Sequence, residues 1–149
     1  MDLKGRVGLI TGAASGIGKE IAIRLAARGG IPVIADLNLD AAEATAAEIR
    51  KSDADSFAVA MNVADEAQVE KGVADTIAKY GKIDILVSNA GIQIVHPLEE
   101  FSYAEWKKML AIHLDGAFLT TRACLPHMYA KGRGTVLYMG SVHSHLASP

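Results

Sequence analysis

Thr11-Gly12-Ala13-Ala14-Ser15-Gly16-Ile17-Gly18 is the stretch on which the fold turns. It closes Val7–Thr11, a near-continuous apolar run of the kind buried on both faces of a parallel sheet. It leads straight into Ile17–Arg28, where Ile17, Ile21, Leu25 and Arg28 recur at helical spacing until Gly29-Gly30 stops the pattern. Glycines allow a tight turn and a close approach of ligand to backbone, while the free amides and positive end of the helix favour an anion. The spacing is Gly-x-x-x-Gly-x-Gly rather than the more usual Gly-x-Gly-x-x-Gly. Gly12, Gly16 and Gly18 are therefore the candidate glycines of an anion-binding turn. On its own such a loop also suits an ordinary strand-to-helix turn, so its surroundings decide.

Outward from this loop the same alternation repeats. Ile31–Asp36 reads as a second strand, with Pro32 tolerable only near its start. Asp40 and Glu43 form a capping-box-like pair for an alanine-rich helix running to Lys51. Ser56–Met61 is a third strand, and Asp65 with Gln68 repeats the cap before a helix ending near Tyr80-Gly81. Ile83–Val87 is a fourth strand. Ser102 with Glu105 caps a long helical stretch towards Lys131, bent near Gly116 and ended after Pro126. Gly134–Met139 is the fifth strand. The alternation predicts the α/β class, a Rossmann-like doubly wound parallel sheet with right-handed crossovers, as one domain over residues 1–149. In such sheets ligands lie at the carboxyl ends of the strands, so the residues after each strand carry the function.

Asp36 closes the second strand, 18 residues beyond Gly18. There a carboxylate accepts hydrogen bonds from both hydroxyls of an adenosine ribose. A 2′-phosphate would meet a like charge, costing about 4 kcal/mol at 4 Å in a partly screened site. No lysine or arginine lies in the loop before Gly18, and Leu37-Asn38 supply no base after Asp36. The cofactor expected is NAD rather than NADP.

Composition excludes other classes. The 149 residues are 50% apolar and 21% charged, with a mean hydropathy of +0.21, which argues against disorder. Fifteen Lys+Arg against 17 Asp+Glu give a net charge of −2 and no basic run, so nucleic acid is not the expected partner. No apolar run reaches the roughly 18 residues of a membrane span, and the first one is cut at Gly12. A single cysteine, Cys124, fits a reducing compartment, and a cytoplasmic location is expected. His143-x-His145 lacks a third ligand at metal spacing, so no metal site is expected. Cys124 and Trp106 read as packing residues, His96 and His127 as surface ones.

With the glycine loop, Asp36 and the Asn89-Ala90-Gly91 turn after the fourth strand, the chain resembles the short-chain dehydrogenase/reductase family. The resemblance implies that Ser15, Ile17, Asp36, Asn62, Val63, Asn89, Ala90 and Gly91 contact NAD. Asn62 stands where the family usually has aspartate, and its amide can still bond an adenine amine. Ser141 takes the place of the family's catalytic serine, which binds the substrate oxygen and stabilises charge developing on it. His113 aligns with an asparagine that bends the long helix and holds a water in a proton relay. A neutral imidazole can both accept and donate, so His113 is read either as keeping that relay or as structural. The family's general base, a tyrosine with a lysine four residues on, has no counterpart among these residues; Tyr129 and Tyr138 stand in the wrong places. The resemblance implies seven strands, of which five are present, so the 149 residues alone are expected to bind NAD but not to turn over. It also implies a homotetramer paired through the long helix.

Asn89-Ala90-Gly91-Ile92-Gln93 together with Gly140-Ser141-Val142-His143 is similar to the 3-hydroxybutyrate dehydrogenases. In that group the glutamine and histidine hold the substrate carboxylate, which implies the same for Gln93 and His143. The implied reaction is NAD-dependent oxidation of (R)-3-hydroxybutyrate to acetoacetate and its reverse. Two alternatives stand beside it: another NAD-linked alcohol or sugar dehydrogenase, and a non-catalytic NAD-binding module.

Overall fold

β1 (Val7–Thr11) lies at the centre of a parallel sheet because every one of its residues is buried, whichever face it points to. The computed structural model describes residues 3–141. β2 (Ile31–Asp36), β3 (Phe57–Ala60), β4 (Ile85–Ser88) and β5 (Thr135–Tyr138) complete the sheet in the order β3-β2-β1-β4-β5. Every pairing is parallel, with Thr11 opposite Ala35, Ile10 opposite Val87, and Ser88 opposite Tyr138. The order reverses beside β1, so the connections leaving the carboxyl ends of β1 and β4 run to opposite faces of the sheet and leave a crevice above them.

Alternation along each strand divides the core in two. Val7, Leu9, Val33, Ala35 and Leu86 face α3 (Glu66–Tyr80) and the long helix over β4 and β5. Ile10, Ile34 and Val87 face α1 (Gly16–Ala26) and α2 (Leu39–Arg50). Burying each such side chain stabilises the sheet by about 1.5–3 kcal/mol. Cys124 is fully buried in the first layer, and burial alone pushes its thiol up to about 12, so it packs rather than reacts.

Several local readings change. The buried face of α1 is Gly18, Ala22, Leu25 and Ala26, while Ile17 is 64% exposed at the mouth of the crevice. The helix is rotated relative to its apolar spacing because Gly18 must face the loop. α2 is capped by Asn38, whose side chain accepts from the Ala41 amide, not by Asp40, which lies in the first turn. Asp65 caps α3 as expected, accepting from the Gln68 amide at 3.1 Å. Ser102 and Glu105 form a full capping box at the start of α4 (Tyr103–Leu110).

The long helical stretch is not continuous. Ala111–Asp115 is a π-helical turn, after which α5 (Gly116–Ala130) resumes and runs four residues beyond Pro126. The bend expected near Gly116 is thus a π-turn containing His113. Trp106 is not core: it is half exposed, beside Leu98, Phe101, Tyr103 and Met109.

At the amino-terminal end of the sheet, Asp84 staples β4 to β1. Its carboxylate accepts from the Val7 amide at 3.0 Å and from Arg6 at 3.1 Å, with Lys82 at 3.4 Å. Burial raises the pKa of this group, but the Val7 amide, Arg6 and Lys82 outweigh it and hold the carboxyl below its ordinary value.

Candidate cofactor-binding site

Above the carboxyl ends of β1, β2 and β4 lies an open cleft of about 440 Å³. Its floor is held by one buried hydroxyl. Thr11 Oγ1 accepts from the amides of Asn89 and Ala90, each at 3.0 Å, which ties the end of β1 to the turn after β4. The Asn89 side chain returns the bond, its Nδ2 donating to the carbonyls of Thr11 at 2.9 Å and Gly12 at 3.3 Å. Loop and turn therefore form one hydrogen-bonded unit.

The fit is close enough to require glycine. Gly12 has φ +64°, and a Cβ there would lie 2.9 Å from the Ala90 Cα. At Gly18 a Cβ would lie 2.4 Å from the Gly12 carbonyl oxygen and 2.6 Å from Asn89 Nδ2. Gly18 does not line the cleft; it lets α1 begin directly behind it. The next segment of the loop is held from β2 and α2: Asp36 accepts from the amides of Ala14 and Asn38, both at 3.0 Å, and Thr45 donates to the Ala14 carbonyl.

Of the expected cofactor residues, Gly12, Ser15, Ile17, Asp36, Asn62, Val63, Asn89, Ala90 and Gly91 line this cleft. Gly16, at φ +56°, supplies a turn in the loop, with nothing within 4 Å of where a Cβ would stand. Sequence reasoning missed four further walls, Leu37, Met61, Ile92 and Ile112, each next to a residue it had singled out or to His113. Asn62 accepts the Ala64 amide through Oδ1, which leaves that oxygen one lone pair for a donor such as an adenine amine.

The cleft suits a dinucleotide. Asn38, Asp65 and Ser102 cap α2, α3 and α4, but Ser15 makes no side-chain cap bond on α1, whose first turn also lacks an acid. The positive end of α1 is thus left to an external anion at one side of the cleft. Asp36 supplies carboxylate acceptors at the β2 side. No side chain lining the cleft is basic, so a second phosphate on the ribose has no partner there.

The expected substrate residues are less gathered. Gln93 is exposed in the coil after β4, and His113 packs against Gly91 from the π-turn without lining the cleft. Ser141 is exposed three residues past β5, the neighbour of β4. His143 lies outside the described residues. Among the described residues no cluster of three or more His, Cys, Asp or Glu is placed to hold a metal ion, and no helix is long and apolar enough to cross a membrane.

Comparison with known proteins follows the same lines. A family model described as short chain dehydrogenase matches residues 6–149. D-threitol dehydrogenase of Mycolicibacterium smegmatis is 41% identical over 139 residues, covering 93% of this chain and 54% of that protein. The 2-dehydro-3-deoxy-L-rhamnonate dehydrogenase (NAD(+)) of a Sphingomonas species is 39% identical over 146 residues, covering 97% and 57%. A short-chain type dehydrogenase/reductase structure from Mycobacterium marinum superposes with a TM-score of 0.95 at 31% identity, covering 99% of this chain and 60% of that one. The chain spans little more than half the length of these relatives.

Proposed function

The chain belongs to the short-chain dehydrogenase family, and on that premise we propose that residues 1–149 form the NAD-binding part of an NAD-linked dehydrogenase that oxidises a hydroxyl of a small polar substrate. One observation carries this reading: the uncapped start of α1 and the carboxylate of Asp36 flank a single cleft.

In the bound state NAD supplies the hydride acceptor. The first amides of α1 and Ser15 hold the pyrophosphate, Asp36 accepts from the ribose hydroxyls, and Asn62 and Val63 meet the adenine. Asn89, Ala90 and Gly91 form the wall on the β4 side. Ser141 donates to the substrate oxygen, while Gln93 and His143 orient a substrate carboxylate. His113 Nε2 is engaged with the Ile92 backbone, so only Nδ1 is left for a proton route.

Within this reading the preferred substrate is (R)-3-hydroxybutyrate, supported by the Gln93, Ser141 and His143 pattern. A second reading, a polyol or sugar-acid dehydrogenase, is favoured by the substrates in the names of the two curated relatives. Exposed Tyr103, Trp106, Leu114, Phe118 and Tyr129, along α4, the π-turn and α5, support a homotetramer. The lone buried Cys124 supports a cytoplasmic location.

The test uses the full-length protein. NAD is expected to bind at least about tenfold more tightly than NADP, and Asp36→Ala is expected to close that gap. NADH formation is then followed with (R)-3-hydroxybutyrate, D-threitol and a panel of sugar acids. Turnover of polyols alone removes the hydroxybutyrate reading, and no binding of either cofactor removes the dehydrogenase reading altogether.

A further inference from the structure

Buried threonines in helices commonly return the hydroxyl to their own helix, donating to the carbonyl four residues back. Thr76 does so to Gly72 at 2.8 Å, and Thr120 to Gly116 at 2.7 Å. Thr45, 2% exposed on the buried face of α2, does not. Its Oγ1 donates instead to the carbonyl of Ala14 at 3.0 Å, 31 residues away in the glycine loop.

What that bond holds is one peptide. The two peptides before it are fixed from β2: the Ala13 amide donates to the Ala35 carbonyl at 3.3 Å, and the Ala14 amide to Asp36 at 3.0 Å. The Ala14–Ser15 peptide makes one hydrogen bond among the described residues, the one from Thr45, and its Ser15 amide has no partner there. Ser15 is exposed and lines the cleft, whereas Ala14 does not. A trans peptide sets its C=O and N–H in opposite directions, and no peptide among the described residues is cis. With the carbonyl turned to Thr45, the Ser15 N–H is turned away from α2. A half-turn of this peptide about its flanking bonds would put the carbonyl oxygen in place of the amide. An oxygen lone pair repels a phosphate where an N–H attracts it.

We propose that the Thr45 hydroxyl is a positioning group for the cofactor: by holding the Ala14 carbonyl, it keeps the Ala14–Ser15 peptide turned so that the Ser15 amide is offered to a pyrophosphate oxygen. The proposal rests on the reading of the cleft as an NAD site. Thr45 does not line the cleft. It acts before binding, by keeping the loop in the arrangement that accepts the anion, so apparent affinity follows the fraction of molecules so arranged. The effect belongs to the hydroxyl and not to the methyl group.

Calorimetry of NAD with the full-length protein tests this in two variants that divide the side chain. Thr45→Val keeps the shape and removes the hydroxyl; Thr45→Ser keeps the hydroxyl and removes the methyl. Thr45→Val is expected to bind NAD about fivefold more weakly than the wild type, the loss when about a fifth of the molecules hold the competent peptide. Thr45→Ser is expected to stay within about twofold of the wild type. In the free protein, the amide-to-Hα coupling of Ser15 in nuclear magnetic resonance reports its φ, −153° in the structure. That coupling is expected to change in Thr45→Val and to be kept in Thr45→Ser. Thr45→Ala takes the place of Thr45→Val should that variant not fold. Wild-type affinity without the hydroxyl overturns the proposal, as does a Thr45→Ser as weak as Thr45→Val, which would assign the effect to packing. An unchanged Ser15 coupling in Thr45→Val overturns it too. Failure of the wild type to bind NAD counts against the cofactor reading instead, and the Ser15 coupling then decides whether the hydroxyl sets the peptide.

Discussion

Gly18 and Asn89 show how much of this site is settled by single atoms. Neither has a charge, yet together they fix the distance between the glycine loop and the turn after β4. A methyl group at residue 18 would overlap the Gly12 carbonyl at 2.4 Å and the Asn89 amide nitrogen at 2.6 Å, and neither neighbour can retreat without breaking a bond. Gly18→Ala is expected to destabilise the fold by about 1–3 kcal/mol, the usual cost of overpacking. The same change is expected to weaken NAD binding by about tenfold or more. Denaturant unfolding and calorimetry read the two effects separately; a variant with wild-type affinity would show that loop and turn can part. Asp36 has a related double role. Its two oxygens already accept the Ala14 and Asn38 amides, so the residue read as a ribose acceptor also shapes the loop that would hold the phosphates.

Among the elements, the β1–β4 seam carries a buried carboxylate that makes it sensitive to pH. Asp84, 4% exposed, has its carboxyl held below the ordinary value against burial by the Val7 amide, Arg6 and Lys82. A depressed pKa contributes stability that is present above the unfolded value and lost as pH falls through the folded one. The folded protein is therefore expected to lose stability as pH drops below about 4, and Asp84→Asn to flatten that part of the profile. Removing the group altogether, in Asp84→Ala, leaves Arg6 and Lys82 without their shared partner and is expected to cost about 3 kcal/mol at neutral pH. Thermal melts across the acid range check both, and an unaltered acid limb in Asp84→Asn would remove Asp84 from the account.

Elements of this kind were legible to different depths. All five strands stand where apolar, β-branched runs predicted them; burial on both faces is the reason for β1 and β2, whereas β5 is exposed at three of its four residues. Helix starts were less secure: Asp40 and Asn38 are both good caps, and only the pull of Asp36 on the Asn38 amide shows which one stops the turn. The rotation of α1 depends on Gly18 meeting Asn89, a contact between residues far apart in the chain. A π-turn adds a residue to a helical repeat without changing composition, so Ala111–Asp115 reads as plain helix. The cofactor cleft was legible because its residues follow strand ends, whereas the contact of His113 with Ile92 spans 21 residues and has no local signal.

At the scale of the whole molecule, one side is unfinished as a surface. Tyr103, Leu114, Phe118 and Tyr129 are each 60% or more exposed, at spacings that return to one side of the helical stretch. Soluble chains rarely leave such a stripe uncovered. Full-length protein is expected to sediment as an oligomer, and Phe118→Lys to shift it towards smaller species with its circular dichroism unchanged. A wild type that stays monomeric at high concentration would remove the stripe from the assembly. The order β3-β2-β1-β4-β5 has a consequence for the protein as it is being made. β1 finds β2 within moments of leaving the ribosome, but its other edge belongs to β4, whose last residue is Ser88. At 5–20 residues per second, β1 waits roughly 3–10 s after β2 with that edge open. Asn89 comes later still, so a nascent chain that already holds the glycine loop lacks the side chain that pins its carbonyls. During synthesis the cleft is completed from its far side, by the β4 turn and then by Ile112, rather than by the loop that announces it.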